Sequence, residues 1–160
     1  MRLAKRMLLD DLLVDFPFAE QADRANALAL LLLPFIRPLI EGPTPLHLVE
    51  AAKAGTGKGL LVDVAHGIAT GRTAEATAEV GEGDEWRSRI FAALLGGPRF
   101  VLIDNINGYL DSGALASADG ADGEGPHPGT SRTATVPVRC VWVGTGNNVR
   151  MSTELARRRR

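Results

Sequence analysis

A short apolar run, Leu46-His47-Leu48-Val49, passes into a loop of small residues, Ala51–Gly59, and then into a helical pattern. In that loop, Gly55 and Gly57 permit backbone conformations closed to most residues, so successive N–H groups can face one concavity. The helix expected from Lys58 onward sets its positive dipole end at the same place. Strand, glycine loop and helix N-terminus in this order constrain the fold strongly. The strand belongs to a sheet covered by helices, and the loop lies at its carboxyl end. Such a concavity suits an anion, and a phosphate in particular.

The phosphate-loop pattern is Gly-x-x-x-x-Gly-Lys-[Ser/Thr], set between a strand and a helix. Gly57-Lys58 stands where the pattern requires it, which makes Ala54, Gly55, Thr56, Gly57, Lys58, Gly59 and Leu60 the expected cradle. Lys58 would reach the β- and γ-phosphates. Two positions depart from the pattern. Ala52 replaces the first glycine, a small change. Gly59 replaces the hydroxyl residue whose oxygen ordinarily ligates Mg2+, so water would fill that position with weaker metal binding. The plain alternative is a glycine-rich turn carrying a solvated lysine.

Phe100-Val101-Leu102-Ile103 is a continuous apolar run ending in Asp104, the signature of a parallel strand buried on both faces. Beside a phosphate loop, Asp104 is the expected Mg2+ ligand, directly or through water; otherwise it caps the next turn. Asn105 follows, at a position where many ATPases carry a carboxylate base. An amide orients water but takes no proton, which leaves Glu50 and Glu85 as candidate bases. Val136–Val143 predicts a third strand, followed by Thr145-Gly146-Asn147-Asn148. A neutral side chain there can bond a γ-phosphate, although Gly-Asn is also a common turn. Arg157 and Arg158 follow a short helix capped by Ser152 or Thr153. They read either as a finger on a neighbour's nucleotide or as a solvated basic tail.

The flanks are helical. Residues 2–33 predict helix with a break at Phe16-Pro17, and Ala19–Leu33 is apolar nearly all round until Pro34 stops it. Such a helix is buried on several sides or lies at a subunit contact. Leu60, Leu61, Val64, Ala65 and Ile68 predict the inward face of the helix after the loop, ending near Gly71. Trp86, Ile90, Phe91 and Leu94 do so for a helix over 84–95. A weak edge strand is expected at Thr77–Val80, and residues 111–134, rich in Gly, Asp, Ser and Ala, suggest no regular element. The reading is an α/β fold, an open parallel sheet flanked by helices. An N-terminal helical segment spans 1–43 and a P-loop core spans 44–160.

Composition removes several classes. Of 160 residues, 18 are basic and 19 acidic, which excludes a globally basic nucleic-acid binder. The single cysteine, Cys140, excludes a disulfide framework and a cysteine-built zinc site, and reads as a small apolar strand residue. His47, His66 and His127 lack ligand spacing and read as structural or exposed. Trp86 and Trp142 read as core. The longest apolar run, Ala25–Leu33, falls short of the ~20 residues of a bilayer span. Arg2, Lys5 and Arg6 before Met7-Leu8-Leu9 resemble a signal peptide, but Asp10, Asp11 and Asp15 break it. No membrane partner and a cytoplasmic location are the expectations.

Five segments occur together in order: Ala54–Leu61, Glu85-Trp86-Arg87, Leu102-Ile103-Asp104-Asn105, Thr145-Gly146-Asn147-Asn148 and Glu154-Leu155-Ala156-Arg157-Arg158. The set resembles AAA+ P-loop ATPases of phages and bacterial mobile elements, similar to superfamily III helicase modules joined to primases. The resemblance covers roughly residues 10–158. It implies a sheet with the phosphate-loop strand central and the sensor strand beside it, assembled as a homo-oligomeric ring with ATP between subunits. By position, Lys58 binds phosphate, Asp104 binds Mg2+, and Asn147 (with Asn148 second) is the sensor. Arg157 or Arg158 is the finger. ATP hydrolysis coupled to DNA unwinding or replication is the implied activity. Some relatives also carry Gly after the lysine and Asn after the aspartate. Asp119–Thr130 departs from the family's pore or DNA-facing element. The family also continues past the paired arginines into a lid, so the chain reads as truncated before it. The alternative function is a non-catalytic nucleotide-binding or assembly module. A DNA-binding protein without a nucleotide role is a third.

Overall fold

The computed structural model describes residues 2–51, 53, 55–78, 83–110, 122–126 and 133–151. Helix α1 (Arg2–Arg6) continues into a wider π-type turn over Met7–Leu12, then breaks. Helix α2 spans Gln21–Ile36. It starts where Glu20 N–H donates to Asp23 Oδ2 at 3.0 Å, satisfying a backbone group that the helix leaves open. Pro34 does not end α2 as expected. It sits in the last turn, where its missing N–H costs one hydrogen bond, and the helix runs on to Ile36 before a single 3-10 turn at Arg37–Leu39.

The core elements are β1 (His47–Glu50), α3 (Lys58–Thr70), β2 (Ala76–Ala78), α4 (Gly83–Leu95), β3 (Phe100–Leu110) and β6 (Val141–Met151). Between β3 and β6 lies an antiparallel pair, β4 (Asp122–Pro126) and β5 (Thr133–Pro137), in a stretch expected to be irregular. The expected strand Val136–Val143 is therefore two elements. Pro137, which cannot donate to a ladder, ends β5, and β6 starts afresh at Val141.

The main sheet has strand order β1-β6-β3-β2, parallel throughout. β6 lies beside β1. The phosphate-loop strand is not central: among the described residues β1 is an edge, because β6 pairs with it on one side only.

Alternation along the strands explains their unbroken apolar runs. Val101, Ile103 and Trp142 join Trp86, Ile90 and Leu94 of α4 in one core. Phe100, Leu102, Val141 and Val143 join Leu30, Leu31, Leu61, Val62 and Ala65 of α2 and α3 in a second, on the opposite face. Each fully buried aliphatic side chain contributes roughly 1.5–3 kcal/mol of burial. Cys140 and both tryptophans are buried, as expected. The inward face of α3 is Leu61, Val62 and Ala65, however. Leu60 and Ile68, expected inside, are exposed, as are Leu32, Phe35 and Ile36 of the apolar α2. No described helix is long and apolar enough to cross a membrane.

Arg37 joins the N-terminal segment to this sheet. Its side chain is 2% exposed. The guanidinium donates to the carbonyls of Val138 (2.6 Å), Ile40 (2.9 Å), Gly42 (3.0 Å) and Cys140 (3.3 Å). A planar fork of donors matches such a set of converging carbonyls.

Candidate functional site: a glycine loop facing two bulged strands

The loop between β1 and α3 has the backbone its glycines allow. Gly55 and Gly57 take φ of +76° and +86°, a region costly for residues with a Cβ, and Gly57 is the N-cap of α3. Leu61 N–H donates to Gly57 O at 3.0 Å, which closes the first helical turn. The Thr56 hydroxyl donates to Lys53 O at 3.3 Å, so it braces the loop from inside. Phe16 packs 3.9 Å from the position a Cβ would take at Gly57, bringing the break after α1 against the loop. Ala52 and Ala54 lie outside the described residues.

Lys58, the first residue of α3, turns its ammonium back over the loop. Nζ donates to Lys53 O at 3.2 Å and to Asn147 Oδ1, across on β6, at 2.8 Å. Lys58 and the candidate sensor Asn147, 89 positions apart in the chain, thus meet. A phosphate entering the loop would replace neutral acceptors around a cation, an exchange that charge favours. Gly59 has nothing within 4 Å of a Cβ built on it, and Leu60 is exposed beside it.

Asp104 does not end its strand, as the sequence suggested. β3 runs on to Leu110, and Asp104-Asn105 form a bulge within it. Ile103 pairs with Gly144 and Ile106 with Gly146, so two residues of β3 face Thr145 alone. Asn105 takes the left-handed region, φ +56°, which asparagine tolerates better than most residues. A bulge of this kind re-aims a side chain out of a ladder. Thr145 holds it: its hydroxyl donates to Asp104 Oδ1 and accepts from Asn105 N–H at 3.1 Å.

A second irregularity lies further along the same ladder. Asn107 pairs with Asn147 and Tyr109 with Arg150, so the extra residue is now on β6, where Asn148 takes φ +51°. The two bulges offset each other, and the strands leave the site in the register in which they entered it. Gly144 and Gly146 make the approach possible. A Cβ at Gly144 would lie 2.9 Å from Ile106 Cδ1, and one at Gly146 would lie 2.6 Å from Ile106 O and press on the Val149 side chain.

Of the candidate bases, Glu50 is at the site. It ends β1, and its Oε1 accepts from Val149 N–H at 2.7 Å. Glu85 instead pairs with Arg89 along α4 at 2.6 Å. His66 has a structural role, bonding Arg72 O at 2.8 Å through Nδ1 and lying against Phe100. His47 faces a groove, and burial lowers its pKa below the ordinary imidazole value. That groove, about 480 Å3, follows β1 from Pro45 to Ala51 and is walled by Phe18, Asn26 and Leu61. It opens at the phosphate loop, beside Asn148. Arg157, Arg158 and the residues that cap their helix lie outside the described residues, as does His127.

Sequence reasoning missed Thr145 as the residue that fixes Asp104, and missed both glycines of β6. A hydroxyl between two glycines on a buried strand was the available signal. Asp104 is, among the described residues, the carboxylate carried by the bulge. Among the described residues, no group of three or more His, Cys, Asp or Glu side chains is placed to hold a metal ion. No family model, curated protein or solved structure matches this chain.

Proposed function

We propose that the chain is a P-loop nucleotide-binding module that takes ATP with Mg2+ and hydrolyses it. The observation that carries the reading is the Lys58–Asn147 contact at 2.8 Å. It sets a loop lysine against an amide of the strand that also holds Asp104. The concavity of Gly55 and Gly57, the α3 N-terminus and Lys58 supply positive potential for the phosphates. Asp104 supplies a carboxylate for the metal, and one carboxylate is what such sites commonly provide, the remaining positions going to phosphate oxygens and water. Bound Mg2+ would neutralise charge on the β- and γ-phosphates. In this reading the groove along β1, which Ala51 and Leu61 help to line, would take the base and ribose.

In this reading Lys58 stabilises charge at the γ-phosphate, and Asn147 or Asn105 orients the attacking water. Glu50 is the carboxylate placed to receive its proton. Assembly as a ring, an arginine finger from Arg157 or Arg158, action on DNA and a cytoplasmic setting rest on the family resemblance alone.

Gly59 and Asn105 favour a second reading, a module that binds nucleotide to order an interface without turning it over. Gly59 offers the metal no oxygen, and Asn105 offers the water no base.

Phosphate release from Mg·ATP, with and without single-stranded DNA, separates the two when Lys58→Ala is run beside it. Turnover lost in the variant supports the ATPase. Nucleotide binding that depends on Lys58 without turnover supports the second reading. Neither binding nor turnover rejects both.

A further inference from the structure

The edge of β1 turned away from β6 is open among the described residues, and the groove runs along it. Ala51 N–H donates to Gly146 O at 3.4 Å, so Ala51 directs its main chain toward β6. Successive residues of a strand alternate, and Val49 and His47 therefore do the same. Leu48 and Glu50 direct their N–H and C=O groups the other way, where no described strand pairs with them. Leu46 and Leu48 pack in the core on the face away from α2, yet both line the groove beside Ala27 and Leu30 of α2. They reach it through the strand edge. Main-chain groups in such a place call for water or for a ligand that presents the complement.

We infer, on the nucleotide reading above, that this open edge of β1 reads the nucleobase through its main chain and selects adenine over guanine. Leu48 O accepts from the exocyclic amino group, and Glu50 N–H donates to the ring nitrogen beside it. The carbonyl of one outward residue and the N–H of the next are the pair that a single residue of an added strand would engage. Adenine offers the complement, an amino donor at N6 next to the N1 acceptor. Guanine and hypoxanthine carry the reverse, O6 next to N1–H, so both contacts become repulsive. The polar side chains of the groove do not discriminate in this way. An imidazole offers a donor or an acceptor according to its tautomer, and an amide can turn over, so His47 and Asn26 suit either base. Asp23 is held at the start of α2, where it accepts from Glu20 N–H at 3.0 Å. The groove reaches the glycine loop at Ala51 and Leu61, which puts base and phosphates on one path.

Competition binding to the full chain with Mg·ATP, Mg·ITP and Mg·N6,N6-dimethyl-ATP tests it. ITP reverses the reading edge and keeps the rest of the molecule; the dimethyl analogue keeps N1 and loses the amino donor. Each should bind about tenfold more weakly than ATP, or worse. The ATP-to-ITP ratio should survive His47→Ala, Asn26→Ala and Glu50→Ala. It should narrow in Glu50→Pro, which deletes the N–H facing the groove at a position where an edge strand tolerates proline. ATP and ITP bound alike, with Lys58→Ala abolishing both, overturns the base reading and leaves the nucleotide reading standing. A ratio that collapses in His47→Ala or Asn26→Ala overturns it too, by moving the discrimination to that side chain. No Lys58-dependent binding of any of the three removes both readings.

Discussion

The hydroxyl of Thr145 stands between Asp104 and Asn105, donating to the carboxylate of the first and accepting from the backbone N–H of the second. One side chain on β6 therefore fixes both the aim of Asp104 and the bulge that carries it. Thr145→Val keeps the volume and removes the hydroxyl. It leaves the Asn105 N–H without its acceptor, at a cost of about 1–3 kcal/mol in stability. On the proposed function, Asp104 also loses its aim, so Mg2+-dependent nucleotide affinity is expected to fall in Thr145→Val and to be retained in Thr145→Ser. Denaturant melts beside nucleotide titrations with and without Mg2+ distinguish the two variants.

Gly59 is open above its Cα, so a hydroxymethyl group fits there. Gly59→Ser is expected to tighten Mg·nucleotide binding several-fold and leave metal-free binding unchanged. It should also stabilise α3 by about 0.5 kcal/mol, since glycine is a poor helix residue. Calorimetric titration with and without Mg2+ is the check; equal effects in both would mean that position 59 does not face the metal.

Arg37 ties the N-terminal helices to the sheet by hydrogen bonds to Val138 O and Cys140 O. Arg37→Met removes donors from four carbonyls, two of them on the Val138–Cys140 turn that leads into β6. A loss of about 3 kcal/mol or more follows, read as a lower urea midpoint. Arg37→Lys, a point charge without the fork, should recover only part of it.

The helices, the strand before the loop, the apolar run of β3 and the loop were legible because each is written locally. Val136–Val143, read as one strand, is two elements because Pro137 ends the first. Alternation puts Val101 and Ile103 on one face and Phe100 and Leu102 on the other, and Gly57-Lys58 marks its own turn. The bulges were not legible. They exist because two strands meet at Ile106, Gly144 and Gly146, and no window around Asp104 contains that meeting. Arg37 was unreadable for the same reason, its two acceptors beside the sheet lying 101 and 103 positions away. Leu60 and Ile68 misled because the apolar face of α3 is wider than the surface available to cover it.

His47 gives the stability a pH signature. Burial lowers its pKa below 6.5. Between the folded-state value and 6.5, the unfolded chain holds a proton that the folded chain does not, so stability rises with pH there. This contribution is complete above pH 6.5 and is lost as pH falls below it toward the folded-state value. Thermal melts of wild type and His47→Gln from pH 7.5 to about 5 should show a shallower decline in the variant. Parallel declines would remove His47 from the account.

The position of β6 has a consequence for how the protein is made. It lies between β1 and β3 although it is the last of the described strands in chain order. While the ribosome is still short of Val141, β1 and β3 have no neighbour in common, and the phosphate loop has neither Asn147 nor Thr145 to meet. Until then β1 has no partner among the described strands and β3 has only the short β2, the slow and aggregation-exposed order of events that non-local parallel pairing imposes. Insertion of residues 141–151 between β1 and β3 then joins the described strands into one sheet and brings Asn147 and Thr145 to Lys58 and Asp104 together.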